Sequence, residues 1–316
     1  MPMKLTLREA LALDDIPRSL RDALLVFRGD ENVLPSKWGL ASTKQLRPRL
    51  GFSLWRGKTL HGRRIPLMNL FNHTPTPVEE GWSTLVTQVR DFRGGSNTYD
   101  SHNGTDFAIP PGTPVVAAAP GRVTHVVNEY NRGGLKVVID HGGHLLTSSN
   151  HLARAEVRVG DLVERGQLVA HSGYSGLDGL LTFPFGTPHV HYNVWLNGVA
   201  VDPFATDSEV SLWRSHNAPT PLQPAERGAP EAIPESDLDL VGMSDALALC
   251  KDRRIRAELA AIRDPQLLAT RLVFQHITYP LRFSEAPRVY RTEHPRAPRL
   301  DLPFRAEDFD GVVQLD

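Results

Sequence analysis

The strongest constraint on this chain lies in its middle, where short runs rich in β-branched residues succeed one another: Val115-Val116-Ala117, Arg122 to Val127, Leu135 to Ile139, Val157 to Val159, Leu168 to His171 and Val190 to Trp195. Pro111-Gly112, Pro120-Gly121, Gly133-Gly134 and Gly142-Gly143 punctuate them. Glycine and proline at such intervals turn strands and interrupt helices. The pattern predicts a mainly β domain of roughly 110 residues, ending near Asp202-Pro203, within the usual size of one domain. With 316 residues in all, at ~100–200 residues per domain, the chain has room for about two.

The flanks read differently. Residues 5–27 carry Leu5, Leu7, Leu11, Leu13, Leu20, Leu24 and Leu25 among charges, which predicts one or two short helices broken near Pro17. From Gly51 to Val89 aromatic residues lie among Gly and Pro without a period. Residues 1–95 are therefore expected to be an irregular N-terminal accessory segment. Past the β domain, five prolines between Ala218 and Ser236 predict an extended linker over residues 207–240. Beyond it, Leu247, Leu249, Ile255, Leu259 and Ile262 form one helical pattern, and Asp264-Pro265 offers an N-cap and first-turn proline for another. Residues 241–316 are expected to hold a helical hairpin and a tail rich in Pro and Arg.

Charge and cysteine content narrow the chemistry. Lys and Arg number 35 against 36 Asp and Glu, a formal charge of −1, so no net field draws the chain to nucleic acid, and no nucleic-acid partner is expected. Cys250 is the single cysteine; it excludes an intrachain disulfide, and any metal must rest on histidine and carboxylate. Lys4, Arg8, Glu9, Asp14 and Asp15 interrupt every run that could form a signal-peptide core. No stretch approaches the roughly 18 apolar residues of a membrane span. The expectation is a chain made in the cytoplasm with no recognisable signal peptide or transmembrane segment, exported by a non-classical route or released.

Among 13 histidines, four positions stand apart by context. His102 and Asp106 lie four residues apart in His102-Asn103-Gly104-Thr105-Asp106, and His189 and His191 flank Val190 in a strand-like run. In a strand, positions i and i+2 project to the same face, so both imidazoles enter one site. A catalytic zinc takes three protein ligands and leaves a fourth position for water. His102, Asp106 and His191 would supply that set, leaving His189 free to exchange a proton.

These motifs occur together with Thr187-Pro188-His189-Val190-His191, Ser149-Asn150-His151-Leu152, Val159-Gly160-Asp161-Leu162-Val163 and Asn197-Gly198-Val199-Ala200-Val201-Asp202-Pro203. In this order they resemble the lysostaphin and LytM-type zinc metallopeptidases, over residues 96–206. The resemblance implies a LytM-like antiparallel β domain and a zinc endopeptidase acting on peptidoglycan peptides, with one Zn²⁺ per chain on His102, Asp106 and His191. It implies that His151 and His189 are the two non-ligand active-site histidines, one of which takes a proton from the metal-activated water. Ser149 stands where the family often has tyrosine, and Tyr99 is a displaced counterpart of another family tyrosine. The segment from Gly176 to Gly186 is longer and more apolar than the family's usual loop, so Phe183 and Phe185 either line the substrate groove or pack on the N-terminal segment; Tyr99 is a candidate transition-state residue. Two other readings stay open at this point: a non-hydrolytic zinc-binding scaffold with the same fold, and a metallopeptidase acting on another peptide. A lipoyl-type carrier is disfavoured because no Lys occurs between Lys136 and Lys251. Any immunity or secretion partner is unidentified.

Overall fold

In the computed structural model, which describes residues 2–226 and 228–315, the β-rich middle forms one mostly antiparallel sheet. Its strands are β1 (Arg64–Leu67), β2 (Thr105–Ala108), β3 (Pro114–Val116), β4 (Gly121–Glu129), β5 (Gly134–Asp140), β6 (Leu145–Ala155), β7 (Leu162–Val163), β8 (Leu168–Ser172), β9 (His189–Leu196), β10 (Val199–Ala200) and β11 (Gly311–Gln314). The main order is β11-β1-β2-β9-β6-β5-β4-β7, with β10 on β9 and β8 bridging β3 to β6.

Strand alternation sorts β9 into two faces. Val190, Tyr192, Val194 and Leu196 join the main apolar core, together with Phe107, Val137, Val169, Phe204 and Trp213. Trp195, on the other face, packs with Val138 and Leu146 under the C-terminal helices α5 (Leu240–Leu249), α6 (Arg253–Ala260) and α7 (Pro265–Thr278). Those helices cover only part of this face. The remainder, holding His189, His191 and Asn193, borders a cavity.

Several elements differ from the sequence expectation. The sheet reaches past residues 96–206: β1 pairs with β2 through Leu67 and Phe107, and β11 lies parallel to β1 from Arg64↔Gly311 to Leu67↔Gln314. The N-terminal segment carries three helices, α1 (Leu7–Ala10), α2 (Ile16–Arg28) and α3 (Pro48–Trp55). Pro17 does not break α2; it sits in the first turn after the Asp15 cap, where its missing N–H costs nothing. Within 207–240, Trp213 is wholly buried, whereas the described residues of the proline-rich part hold a 3₁₀ turn at Pro224–Glu226 and are otherwise irregular. The C-terminal region folds as three helices, not a hairpin, because Asp252 caps α6 and Asp264 caps α7 separately. Its tail returns to the core through Leu300, Leu302, Phe304 and Phe309. Among the described residues, no helix is long and apolar enough to cross a membrane.

Two strand assignments also change. Val157 to Val159 is not a strand; it enters a turn in which the Arg158 N–H donates to the Asp161 carboxylate at 2.8 Å. Conversely β6, at 11 residues the longest strand among the described residues, runs through the polar stretch Thr147 to His151, which lacks apolar alternation.

Candidate metal centre

The pairing of β2 with β9 aligns Asp106 with His191 and Ala108 with His189. Paired residues share a face, so the carboxylate and both imidazoles project into the same space. His102 precedes β2 in a turn closed by its own N–H donating to the Tyr99 carbonyl at 3.0 Å. The outcome is a buried cluster of His102, Asp106 and His191 whose ligand atoms lie within 4.8 Å of one another. His102 Nε2 is 3.1 Å from Asp106 Oδ1 and 3.1 Å from His191 Nδ1, and the last two atoms are 2.8 Å apart. Close approach of β9 depends on Gly104: a Cβ there would lie 2.7 Å from His191 Nε2 and 2.7 Å from the Tyr192 carbonyl oxygen.

Hydrogen bonds behind the rings decide which nitrogen faces the cluster. The Nδ1 of His102 is 2.6 Å from the Leu70 carbonyl oxygen, that of His151 2.7 Å from Ser175 O, and that of His189 2.8 Å from Thr187 O. A carbonyl only accepts, so each Nδ1 carries the proton and each Nε2 keeps its lone pair for the site. His191 is turned the other way, with Nδ1 forward. Two imidazole nitrogens and a carboxylate oxygen are the donor set of a catalytic zinc site with one position left open.

His151 reaches this site by a backbone irregularity. β6 pairs with β9 up to Asn150↔His191, then with β8 from Leu152↔Ser172, and its register against β5 shifts across the same residues. His151 occupies the bulge with φ +59°, a left-handed conformation that is costly for a side-chain-bearing residue. The ring thereby stands 4.7 Å, centroid to centroid, from His189. Bulges beside functional sites re-aim side chains in this manner.

Burial governs the charges. It would push the Asp106 carboxyl up, but the neighbouring His102, His189 and His191 hold it well below the usual carboxylate range. Burial, reinforced by His189, pushes the His151 imidazole well below its ordinary value, and burial lowers His191 to about 4. His151 is thus neutral at pH 7, with its Nε2 able to accept a proton.

His102 lies buried behind Asp106, His151, His189 and His191, which open on a cavity of about 650 Å³. Its walls come from Ser36, Trp38 and Trp82 of the N-terminal segment, from Phe274 and Ile277 of α7, and from α4 (Leu177–Thr182). Tyr99 lines it and packs 4.5 Å from the His102 ring. Phe183 and Phe185 do not line it; they stand edge-on to Trp55 and Phe52 of α3, at 5.0 and 5.5 Å. The long segment does contribute to the wall, through Leu177, Asp178, Leu181 and Thr182.

Two site residues carry no sequence signal of their own. Asn69, just past β1, donates from Nδ2 to Asp106 Oδ2 at 2.8 Å and holds the carboxylate's second oxygen away from the cluster. Asn69→Ala is expected to lower metal affinity by about 10–100-fold, the usual effect of removing a group that orients a ligand. Competition with a chelating dye measures it, and unchanged affinity would remove Asn69 from the site. Asp178 lies at the start of α4, its Oδ2 3.9 Å from His151 Nε2.

Comparison with known proteins places this geometry. Peptidase family M23 matches residues 100–203. The chain is similar to the peptidoglycan DD-endopeptidase ShyA of Vibrio cholerae, at 41% identity over 101 residues, covering 32% of this chain and 22% of that one. It is similar to lysostaphin of Staphylococcus simulans, at 34% over 107 residues, covering 32% and 20%. An uncharacterized metalloprotease of Haemophilus influenzae is 36% identical over 102 residues, covering 32% and 20%. The chain spans only about a fifth of the length of these curated relatives.

Proposed function

Starting from residues 100–203 as a domain of peptidase family M23, we propose that this chain is a zinc-dependent endopeptidase that hydrolyses peptide bonds of bacterial peptidoglycan. The observation that carries the reading is the convergence of two Nε2 lone pairs, of His151 and His189, on a three-ligand cluster that meets one cavity through Asp106 and His191. His102, Asp106 and His191 would hold a zinc ion, which would supply a Lewis acid to acidify water and polarise the scissile carbonyl. His151 and His189 do the proton work. One Nε2 accepts the proton of the attacking water and, now protonated, donates a hydrogen bond to the developing oxyanion before that proton passes to the leaving amine.

Catalysis is assigned to residues 96–206. Residues 1–95 and 241–316 act as accessory segments that wall the cavity, and 207–240 connects the two. The relatives named as DD-endopeptidases and lysostaphin support the choice of peptidoglycan over another peptide. Purified protein with about one zinc per chain is expected to release new muropeptides from isolated sacculi. Chelation should stop the release and added zinc restore it. Zinc-loaded protein that leaves sacculi of every cross-bridge type intact would overturn the reading.

A further inference from the structure

We infer that Asp178 determines specificity, by binding a free amine that the peptide substrate carries beside the scissile bond. The inference rests on the peptidase reading above and adds the substrate's chemistry. Asp178 lines the catalytic cavity, and 59% of its side-chain surface is open. Among the described residues, no donor lies within hydrogen-bond distance of its carboxylate; the near group is His151 Nε2, at 3.9 Å.

That near group cannot satisfy it. The Nδ1–H of His151 is committed to the Ser175 carbonyl, so Nε2 presents a lone pair. A carboxylate oxygen and an imidazole lone pair, both acceptors, face each other across a gap that a single donor can bridge. A group with two or more N–H bonds fits between them, and a cationic one also neutralises the carboxylate.

The charges around the cavity make Asp178 the side chain suited to this. The lining residues with full charges are Asp106, Asp178, Arg132 and Lys136. Asp106 belongs to the ligand cluster, and Lys136 is tied to Glu129 at 3.1 Å. Asp178 is the carboxylate left for a ligand. A helix-capping role does not account for it, since its side chain bonds no backbone N–H of α4. Its position is nonetheless fixed. The Thr182 hydroxyl donates to the Asp178 carbonyl at 2.6 Å and lies 3.1 Å from the Tyr174 hydroxyl, while the Leu177 N–H donates to Tyr130 O at 3.0 Å.

The test compares two probes on the zinc-loaded full chain by titration calorimetry: N-acetyl-Ala-Lys-Ala-amide and the same peptide with its lysine Nε-acetylated. The wild type is expected to bind the free-amine peptide about tenfold more tightly, the usual size of a hydrogen bond to a charged group. Asp178→Asn should bind both alike, and Asp178→Glu should regain part of the preference. A preference kept in Asp178→Asn overturns the inference, as does a wild type that shows none or binds neither probe. The readout is binding, so failure to cleave sacculi defeats the peptidase reading and leaves the affinity ratio to judge Asp178 by itself.

Discussion

His191→Ala is expected to lose both bound zinc and the proposed hydrolytic activity. His191 Nδ1 lies 2.8 Å from Asp106 Oδ1 and 3.1 Å from His102 Nε2, so its removal leaves two donors where a stable catalytic site uses three. Losing a group behind a ligand costs 10–100-fold in affinity, and losing the ligand itself should cost on the order of 10³ or more. Elemental analysis should fall from about one zinc per chain to a trace, and muropeptide release should fall with it. The fold should persist, because Val190, Tyr192 and Val194, on the opposite face of β9, carry its packing. Full zinc content in His191→Ala would remove this residue from the ligand set.

His189→Ala should separate metal binding from proton transfer. Its Nε2 is 3.6 Å from Asp106 Oδ1, farther than the cluster's own contacts, and its Nδ1–H is spent on Thr187 O. Zinc content should therefore stay near one per chain while hydrolysis drops about 10²–10⁴-fold, the range expected when a positioned acid or base is removed. His151→Ala should behave in the same way, being held 4.7 Å from His189 by centroid distance. Loss of zinc from both variants would recast them as ligands, and retained activity in either would clear it of proton transfer.

What the sequence disclosed follows from how local the signals are. The His189-Val190-His191 strand was legible because alternation in a strand is a property of adjacent residues, and the pairing of Asp106 with His191 then brought the other motif to it. β6 was not legible: Thr147, Ser148, Ser149, Asn150 and His151 lack the apolar alternation of a half-exposed strand, and β6 is instead buried on both faces. The left-handed turn at His151 has no glycine to announce it. Val157 to Val159 misled for the opposite reason, since β-branched composition cannot override a turn held by Asp161. Of the two placements open to Phe183 and Phe185, groove or N-terminal segment, local sequence could not choose; their partners, Trp55 and Phe52, lie more than a hundred residues away. Asn69 and Asp178 depend wholly on such distant packing.

The pairing of β1 with β11 has a consequence for timing. Partners in this edge are some 247 positions apart, as the neighbouring Arg63–Asp310 hydrogen bond illustrates, whereas β4, β5 and β6 meet through short turns. Closing so long a loop is entropically slow compared with zipping a hairpin. On a ribosome, the hairpins can assemble while the chain is still being made. The edge next to Asn69 gains its last strand only after residue 314 has emerged, so the support behind Asp106 is among the final parts of the site to be secured.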